Sequence, residues 1–468
     1  MFNKITSHYS IQLSISFLLL IFFSLYQINL EDFWFDELLT FWVTNPNTDH
    51  YDTYLNIINE ENTPPLYFFT IKYFFKVFGY NYELLRLTNI FFNILSLIVF
   101  FSILKTFSKD KKFIFLSLML YSLNYFLISY SQEARVYIFY CLIALCYIRI
   151  YLNIIDNENS IDFLRYLLFV IFSIILINTF LFSFIILGTI IFFEFFFRRN
   201  KKNYYIINLI IFVTTIFSIY FNFEFYQSVF NFEATSINNP NLDFYLLNFF
   251  FKQYFGSKIM GLIFFLFFTF SIFILVKNNL INQKLKFLLF LIFFSYFIPI
   301  LYGYIFSPVL NDKYIIYVVP IIILLISFSI SLLQNLKLKV SIIIFLLIVS
   351  FSNLLIKNIK REIDKPEFTK ILLDLNKQND SRYYTVSFAD HSKPFFNKVV
   401  SNLIQQIIYK KKINLQQVSQ NKDYWIICYD PSNTYDYCTK KSILLNGEKN
   451  IKRRINTYQV VALLINEK

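Results

Sequence analysis

Up to about residue 356 the chain alternates long apolar runs with short polar interruptions. Ile11–Leu30, Leu87–Leu104, Tyr204–Phe223 and Ser341–Ile356 approach or reach the ~20 residues a helix needs to cross a bilayer. Read in order, the pattern predicts eleven spans. The first ends by residue 30, the second covers about 84–104 and the third about 113–129. The fourth leads back from a polar turn at 131–137. Two more fit between Leu164 and Phe197, with a turn near Asn178. The seventh ends near Asn222, the eighth at Lys277 and the ninth near Phe306. The tenth contains Pro320 and the eleventh ends near Ile356. Residues 1–30 are too long in their apolar part for a cleaved signal, and no small-x-small site precedes Glu31, so a retained span with its N-terminus inside is expected. Leu66–Gly79 is apolar but short and carries Lys72 and Lys76. It is expected to lie along the outer interface, opened by Thr63-Pro64-Pro65 as cap and first turn.

After residue 356 the period changes. Phe368–Asn376 has helical spacing. Tyr383–Phe388, Tyr424–Tyr429 and Gln459–Ile465 read as strands, with Asp430-Pro431-Ser432-Asn433 as a turn. The expected organisation is therefore a membrane domain over 1–356 and a small soluble α/β domain over 357–468.

Charge fixes the orientation. The 36 residues from Glu31 to Leu66 hold Glu31, Asp32, Asp36, Glu37, Asp49, Asp52, Glu60 and Glu61 and no Lys or Arg, in a chain with 43 basic and 30 acidic residues. Basic residues are held back on the cytoplasmic side, so this loop belongs outside. Before residue 357 the loops assigned inside carry 16 Lys and Arg. The outer ones carry seven: Lys72, Lys76, Arg86, Arg135, Lys252, Lys258 and Lys313. Eleven spans leave the tail outside. Its excess of basic residues does not oppose this, since long domains translocate largely regardless of charge.

Composition narrows the chemistry. The chain is 57% hydrophobic, with 63 Phe and only 6 Gly, a skew read as codon bias, with Phe stripes as lipid-facing filler. The net charge of +13 lies largely in the tail and in loops between spans, which is no nucleic-acid signature. No C-x-x-C, His cluster or Gly-rich phosphate loop is present, and His8, His50 and His391 are scattered, so zinc and nucleotide motifs are absent. Cys428 and Cys438 stand in a polar context and are able to pair in an oxidising compartment. Cys141 and Cys146 read as packing residues inside the fourth span.

Two groups of residues are able to carry chemistry. Asp36-Glu37 follows the first span, between Trp34 and Trp42. Tryptophans at such a place mark the membrane–water interface, where a carboxylate reaches a substrate whose lipid tail stays in the bilayer. Alone, such a pair is more often merely solvated. The second group is cationic. Arg135, in the turn Glu133-Ala134-Arg135-Val136-Tyr137, joins Arg86 and Lys313 near outer span ends. An Arg there snorkels to headgroups or holds a phosphate with two parallel hydrogen bonds. Three cations above an acidic loop point to an anionic headgroup site facing a base.

Together these residues resemble the polytopic GT-C-fold glycosyltransferases, in the protein O-mannosyltransferase-like and lipid A aminoarabinose transferase-like group. The matching motifs run in order: Asp36-Glu37 after span one, then Pro64-Pro65-Leu66-Tyr67. Phe78-Gly79 follows with Glu83-Leu84-Leu85-Arg86-Leu87, then Glu133–Tyr137, then Lys313-Tyr314 with Pro320 beyond. Lys313 departs from the group, where Arg is more usual, and the tail is poorly matched. The resemblance implies a polytopic α-helical GT-C-like membrane protein with outer-face juxtamembrane helices. It implies sugar transfer, with inversion, from a polyprenyl-phosphate donor to a lipid, glycan or protein acceptor. It implies Asp36 as general base, Glu37 as its orienting neighbour and Glu133 as a second acid near the acceptor. Arg86, Arg135 and Lys313 are implied at the donor phosphate, and Tyr67, Tyr137 and Tyr314 at the substrate. The group does not generally need a metal, so no cofactor is expected, although so many outer carboxylates leave a divalent ion conceivable. The chain's compactness points to a bacterial inner membrane with the site on the periplasmic side. Two rivals stay open: a transporter or flippase of a lipid-linked glycan, and a scaffold with an inactive transferase fold. A transporter is expected to place charges near the midplane, whereas Glu194 and Arg149 fall near inner span ends.

Overall fold

The computed structural model describes residues 2–61, 63–156, 162–199, 201, 203–231, 253–306, 308–361, 365–368, 370–371, 374, 384–386, 424–429 and 451–465. The chain forms two compact units. One comprises Met1–Tyr26, Pro46–Gly79 and Leu85–Lys360, and the other Gln27–Asn45, Tyr80–Leu84 and Arg361–Lys468. The second unit thus contains part of the acidic loop as well as the tail.

The first unit is helical. Its elements are α1 (Phe2–Leu25), α3 (His50–Glu60), α4 (Leu66–Phe78), α5 (Tyr82–Phe107, whose first turn falls in the second unit), α6 (Lys111–Ser122), α7 (Tyr125–Ser131), α8 (Tyr137–Asp156), α9 (Phe163–Ile177) and α10 (Ser183–Phe197). They continue with α11 (Asn203–Phe221), α12 (Phe223–Asn231), α13 (Lys258–Lys277), α14 (Gln283–Ile305), α15 (Val318–Ser331) and α16 (Leu336–Ile359). Among the described residues α5, α8, α11, α13, α14 and α16 are each long and apolar enough to cross a membrane. The pair α6–α7, bent by 51°, passes the same test together. Shorter apolar helices are Ile11–Leu25, α9, α10 and α15. Each of the eleven predicted spans thus falls on a helix, the third on the bent pair, and the protein is a multi-pass membrane protein.

Burial sorts these helices. α15 and α8 are covered on almost every side, as expected of helices apolar all round. By contrast α11 leaves Leu209, Phe212, Ile216 and Tyr220 exposed, and α16 leaves Ile344, Phe345 and Ile348 exposed, the surface a bilayer would cover. The expectation that Phe is mainly lipid-facing filler holds for one part only. Phe92, Phe113, Phe169, Phe193 and Phe287 are buried, and Phe193 meets Phe287 edge-on at 5.5 Å. Aromatic rings gain from such pairing, so the abundant residue also builds the core.

Backbone freed at helix breaks needs partners where water is scarce, and Asn and Gln side chains supply them. Asn124 caps α7 through its Oδ1, which accepts from the Leu127 amide at 3.0 Å, while its Nδ2 donates to the Tyr254 carbonyl at 2.9 Å. Asn93 donates to the Leu127 carbonyl at 3.2 Å. Gln132 donates to the carbonyls of Ser24 and Tyr26, both at 2.9 Å. At the α9–α10 turn Asn222 donates to Asn178 at 2.7 Å. Glu194, near the end of α10, accepts from Arg198 at 2.5 Å and from the Tyr151 hydroxyl at 2.6 Å.

The second unit holds α2 (Phe35–Val43) and a four-stranded sheet: β1 (Tyr384–Val386), β2 (Tyr424–Tyr429), β3 (Ile451–Thr457) and β4 (Val460–Ile465). The strand order is β1-β2-β4-β3, with β1 parallel to β2 and the other pairs antiparallel. Trp425 and Ile427 face the core with Val460–Leu464. The three predicted strands are present: Tyr424–Tyr429 has the expected bounds, the last begins at Val460 in place of Gln459, and the first is described over Tyr384–Val386. β3 was not expected, because Lys452, Arg453 and Arg454 break its apolar pattern. It is an edge strand, and charged side chains are the usual protection of such an edge. Most of the expected helix at 368–376, the turn at 430–433, Cys438 and the side chain of Cys428 lie outside the described residues.

Candidate functional site

The acidic loop enters the second unit through α2. Trp34 is extended (φ −81°, ψ 173°) and begins the helix, which places Asp36 and Glu37 in the first turn, where the helix dipole favours carboxylates. The two acids differ. Glu37 is fully buried. Its Oε2 accepts from the Trp34 amide at 3.3 Å and from the Lys365 ammonium at 2.7 Å. Asp36 is half-buried, and its carbonyl accepts from the Thr40 hydroxyl at 2.9 Å. Further along α2, Phe41 stacks on Tyr80 at 4.1 Å, and the Tyr80 hydroxyl donates to the Phe41 carbonyl at 2.9 Å. Burial pushes the Tyr80 phenol up. Upstream, Arg361 pairs with Glu31 at 2.7 Å. The helix is therefore pinned on both sides by residues of its own unit. Glu37 holds it in place, and Asp36 is the carboxylate it leaves more accessible.

The first unit gathers the Glu133–Tyr137 turn. Asn89 on α5 is fully buried, and its Nδ2 donates to the carbonyls of Glu133 (2.5 Å) and Arg135 (2.8 Å). Its Oδ1 accepts from the Tyr67 hydroxyl at 3.2 Å. Tyr67, expected at the substrate, is itself fully buried and acts as a strut beneath the turn. Arg86 lies three residues before Asn89, which puts both on one face of α5, and it is 2% exposed. Arg135 is also buried, and both its Nη atoms bind Glu61, at 2.6 and 3.0 Å. Glu133 is half-buried.

A third cluster brings Lys313, Tyr137 and Tyr314 together. The Lys313 ammonium sits 4.7 Å from the centre of the Tyr137 ring, a cation–π contact. Tyr314 lies 6.1 Å from Tyr137, 5.3 Å from Phe180 and 5.0 Å from Phe182. Beside it, Asp312 accepts from the Lys313 amide at 2.7 Å, and burial pushes its carboxyl up against the opposing pull of that hydrogen bond and of the Lys313 charge.

Lys72, on the helix expected to lie along the outer interface, is buried. It donates to the carbonyls of Thr48 (2.5 Å) and Asp49 (3.2 Å) and to the Thr53 hydroxyl (2.5 Å), and burial holds its ammonium below the usual lysine range. Sequence reasoning did not single out Asn89, Lys365 or Asp312, and it treated Glu61 only as part of an acidic run. Asn89 had a signal, an amide inside an apolar span one turn beyond Arg86. Lys365 had none, because its partner lies 328 residues away. Among the described residues no group of three or more His, Cys, Asp or Glu is placed to hold a metal ion.

No protein-family model matches the chain, and no curated protein matches it in sequence. Solved structures do match it in fold. ArnT from Cupriavidus metallidurans in the apo state superposes with a TM-score of 0.61 at 9% identity, covering 98% of each chain. The same protein bound to undecaprenyl phosphate gives 0.56 at 11% identity, covering 99% of this chain and 98% of that one. The oligosaccharyltransferase AglB from Archaeoglobus fulgidus, in complex with an inhibitory peptide and a dolichol-phosphate, gives 0.59 at 10% identity, covering 99% of this chain and 74% of that one. At such identities the likeness is one of architecture: this chain has the GT-C fold.

Proposed function

We propose that the protein is a glycosyltransferase that moves a sugar from a polyprenyl-phosphate carrier to an acceptor on the extracytoplasmic face of a bacterial inner membrane. The observation that carries this reading is the shared fold, nearly end to end, with one protein solved with undecaprenyl phosphate and another solved with a dolichol-phosphate. Fold alone does not fix function. The reading also draws on this chain's own chemistry, in a half-buried carboxylate at a helix start and buried arginines on α5 and in the polar turn.

In this proposal the acceptor oxygen attacks the anomeric carbon as the bond from C1 to the phosphate oxygen breaks. The polyprenyl phosphate leaves with the electron pair, and Asp36 takes the acceptor proton. A phosphate leaving group needs no general acid when cations neutralise it, and Arg86, Arg135 and Lys313 are the groups proposed for that. One displacement inverts the anomeric centre. Glu37, ion-paired to Lys365, holds the Asp36 turn. Glu133 lies near the acceptor, Tyr314 offers a face to the sugar, and Tyr137, buried with the Lys313 ammonium over its ring, holds that cation toward the substrate. No step requires a metal.

The test is Asp36→Asn in purified protein given labelled polyprenyl-phosphate sugar. Loss of a general base is expected to lower transfer about 10²- to 10⁴-fold while binding of polyprenyl phosphate is kept. Undiminished transfer by the variant removes Asp36 as base. A wild-type protein that moves the labelled lipid between leaflets without transferring its sugar is a transporter, and one that does neither is a scaffold.

A further inference from the structure

We infer that Glu61 is a positioning residue that occupies the place of the donor phosphate on Arg135, and that the donor must displace it. The inference rests on the reading above, in which Arg135 binds that phosphate. Glu61 takes both Nη atoms of the guanidinium, at 2.6 and 3.0 Å, with both residues buried. This two-bond fork is the same one by which arginine holds a phosphate. The terminal edge of Arg135 therefore serves one anion at a time.

Glu61 is suited to leave. It caps the C-terminus of α3, with extended backbone (φ −119°, ψ 137°), and a carboxylate at that end is disfavoured by the helix dipole. Arg135 offsets this. Once a phosphate has taken the guanidinium, the helix dipole again disfavours the carboxylate at that end. The other end of α3 is secured independently. Lys72 binds the Thr48 and Asp49 carbonyls and the Thr53 hydroxyl, and the Asp49 side chain accepts from the Tyr51 amide at 2.9 Å. Meanwhile Asn89 holds the Arg135 backbone from α5. The arginine is fixed, and α3 is fastened at its start and latched at its end. Exchange of one anion for another therefore removes this latch on the end of α3 without moving Arg135.

The first experiment measures donor KM, kcat and the affinity for polyprenyl phosphate in full-length wild type and Glu61→Gln, an isosteric change that removes the competing charge. An anion held in competition lowers apparent affinity by the fraction of time it occupies the site, so donor KM is expected to fall about tenfold in the variant, with kcat little changed. A purely structural salt bridge predicts the opposite, a higher KM, because the Arg135 fork is loosened. An unchanged or higher KM overturns the exchange. The second experiment needs no variant. Hydrogen exchange of wild type over residues 50–61 is expected to quicken when polyprenyl phosphate is added, and unchanged or slower exchange in a protein that demonstrably binds it also overturns the inference. Failure of the wild type to bind polyprenyl phosphate or to transfer sugar overturns the glycosyltransferase reading itself, and the Glu61 inference with it.

Discussion

At the residue scale, amides and ion pairs position the candidate groups as much as the acids and bases that stand out in the sequence do. Asp36, Glu37, Arg86, Arg135 and Lys313 stand out because charge is scarce in apolar sequence. What fixes them is quieter. Asn89 is one of many asparagines, and nothing local distinguishes it until its amide is seen donating to two carbonyls of the Glu133–Tyr137 turn. The role of Glu37 was legible only as proximity to Asp36, since its ion pair with Lys365 spans most of the chain. Asn89 gives a sharp prediction. Asn89→Asp keeps the shape but removes the donor and sets a carboxylate against two carbonyl oxygens, of which that of Glu133 still accepts from the Arg135 amide at 2.8 Å. Losing a buried hydrogen bond in this way costs about 1–3 kcal/mol, so the variant is expected to lose stability of that order, read as a lowered thermal midpoint in detergent. Donor KM is expected to rise as the Arg135 backbone is released. A variant with wild-type melting and kinetics would show that the turn holds itself.

At the element scale, helix positions were legible because apolar runs of spanning length have one stable answer in a bilayer. The departures have physical causes. The third span reads as one straight helix over 113–129, yet it breaks after Ser122 and bends by 51°. The signal was Asn124, a residue that favours caps over helix interiors because its side chain competes for backbone groups. β3 was missed for the opposite reason, since its exposed Lys452, Arg453 and Arg454 suit an edge strand while erasing the alternation that marks one. Gly256, one of six glycines in the chain, sits at φ +80°, and a Cβ there would come within 3.0 Å of the Asn353 amide and 3.2 Å of Tyr125. The Asn124 cap is testable. Asn124→Ala removes both the bond to the Leu127 amide and the bond to the Tyr254 carbonyl. The expected loss is about 1–3 kcal/mol, again read from thermal unfolding in detergent, with a larger drop than for alanine at exposed Asn278.

At the scale of the whole molecule, sidedness depends on whether the bent α6–α7 pair crosses the membrane or turns back within it. A single crossing gives eleven spans and leaves the tail outside. A re-entrant pair gives ten crossings, reverses every later loop, puts Arg198, Arg199, Lys201 and Lys202 outside, and sets Arg361 and Lys365 across the membrane from their partners Glu31 and Glu37. That reversal would set a dense basic cluster on the face where Lys and Arg are normally scarce, so the crossing is the expected arrangement. Thiol labelling decides it. With Cys428 and Cys438 replaced by serine, single cysteines are placed at Lys109, exposed ahead of α6, and at Lys452, exposed on β3. A membrane-impermeant maleimide applied to intact spheroplasts is expected to label Lys452→Cys and to leave Lys109→Cys untouched until the membrane is opened. Protection of both positions would mean that the α6–α7 pair turns back, which places the Glu133–Tyr137 turn on the cytoplasmic side with Lys109. Transfer onto an extracytoplasmic acceptor by way of Arg135 would then be excluded, because the guanidinium proposed to hold the phosphate would face the wrong compartment.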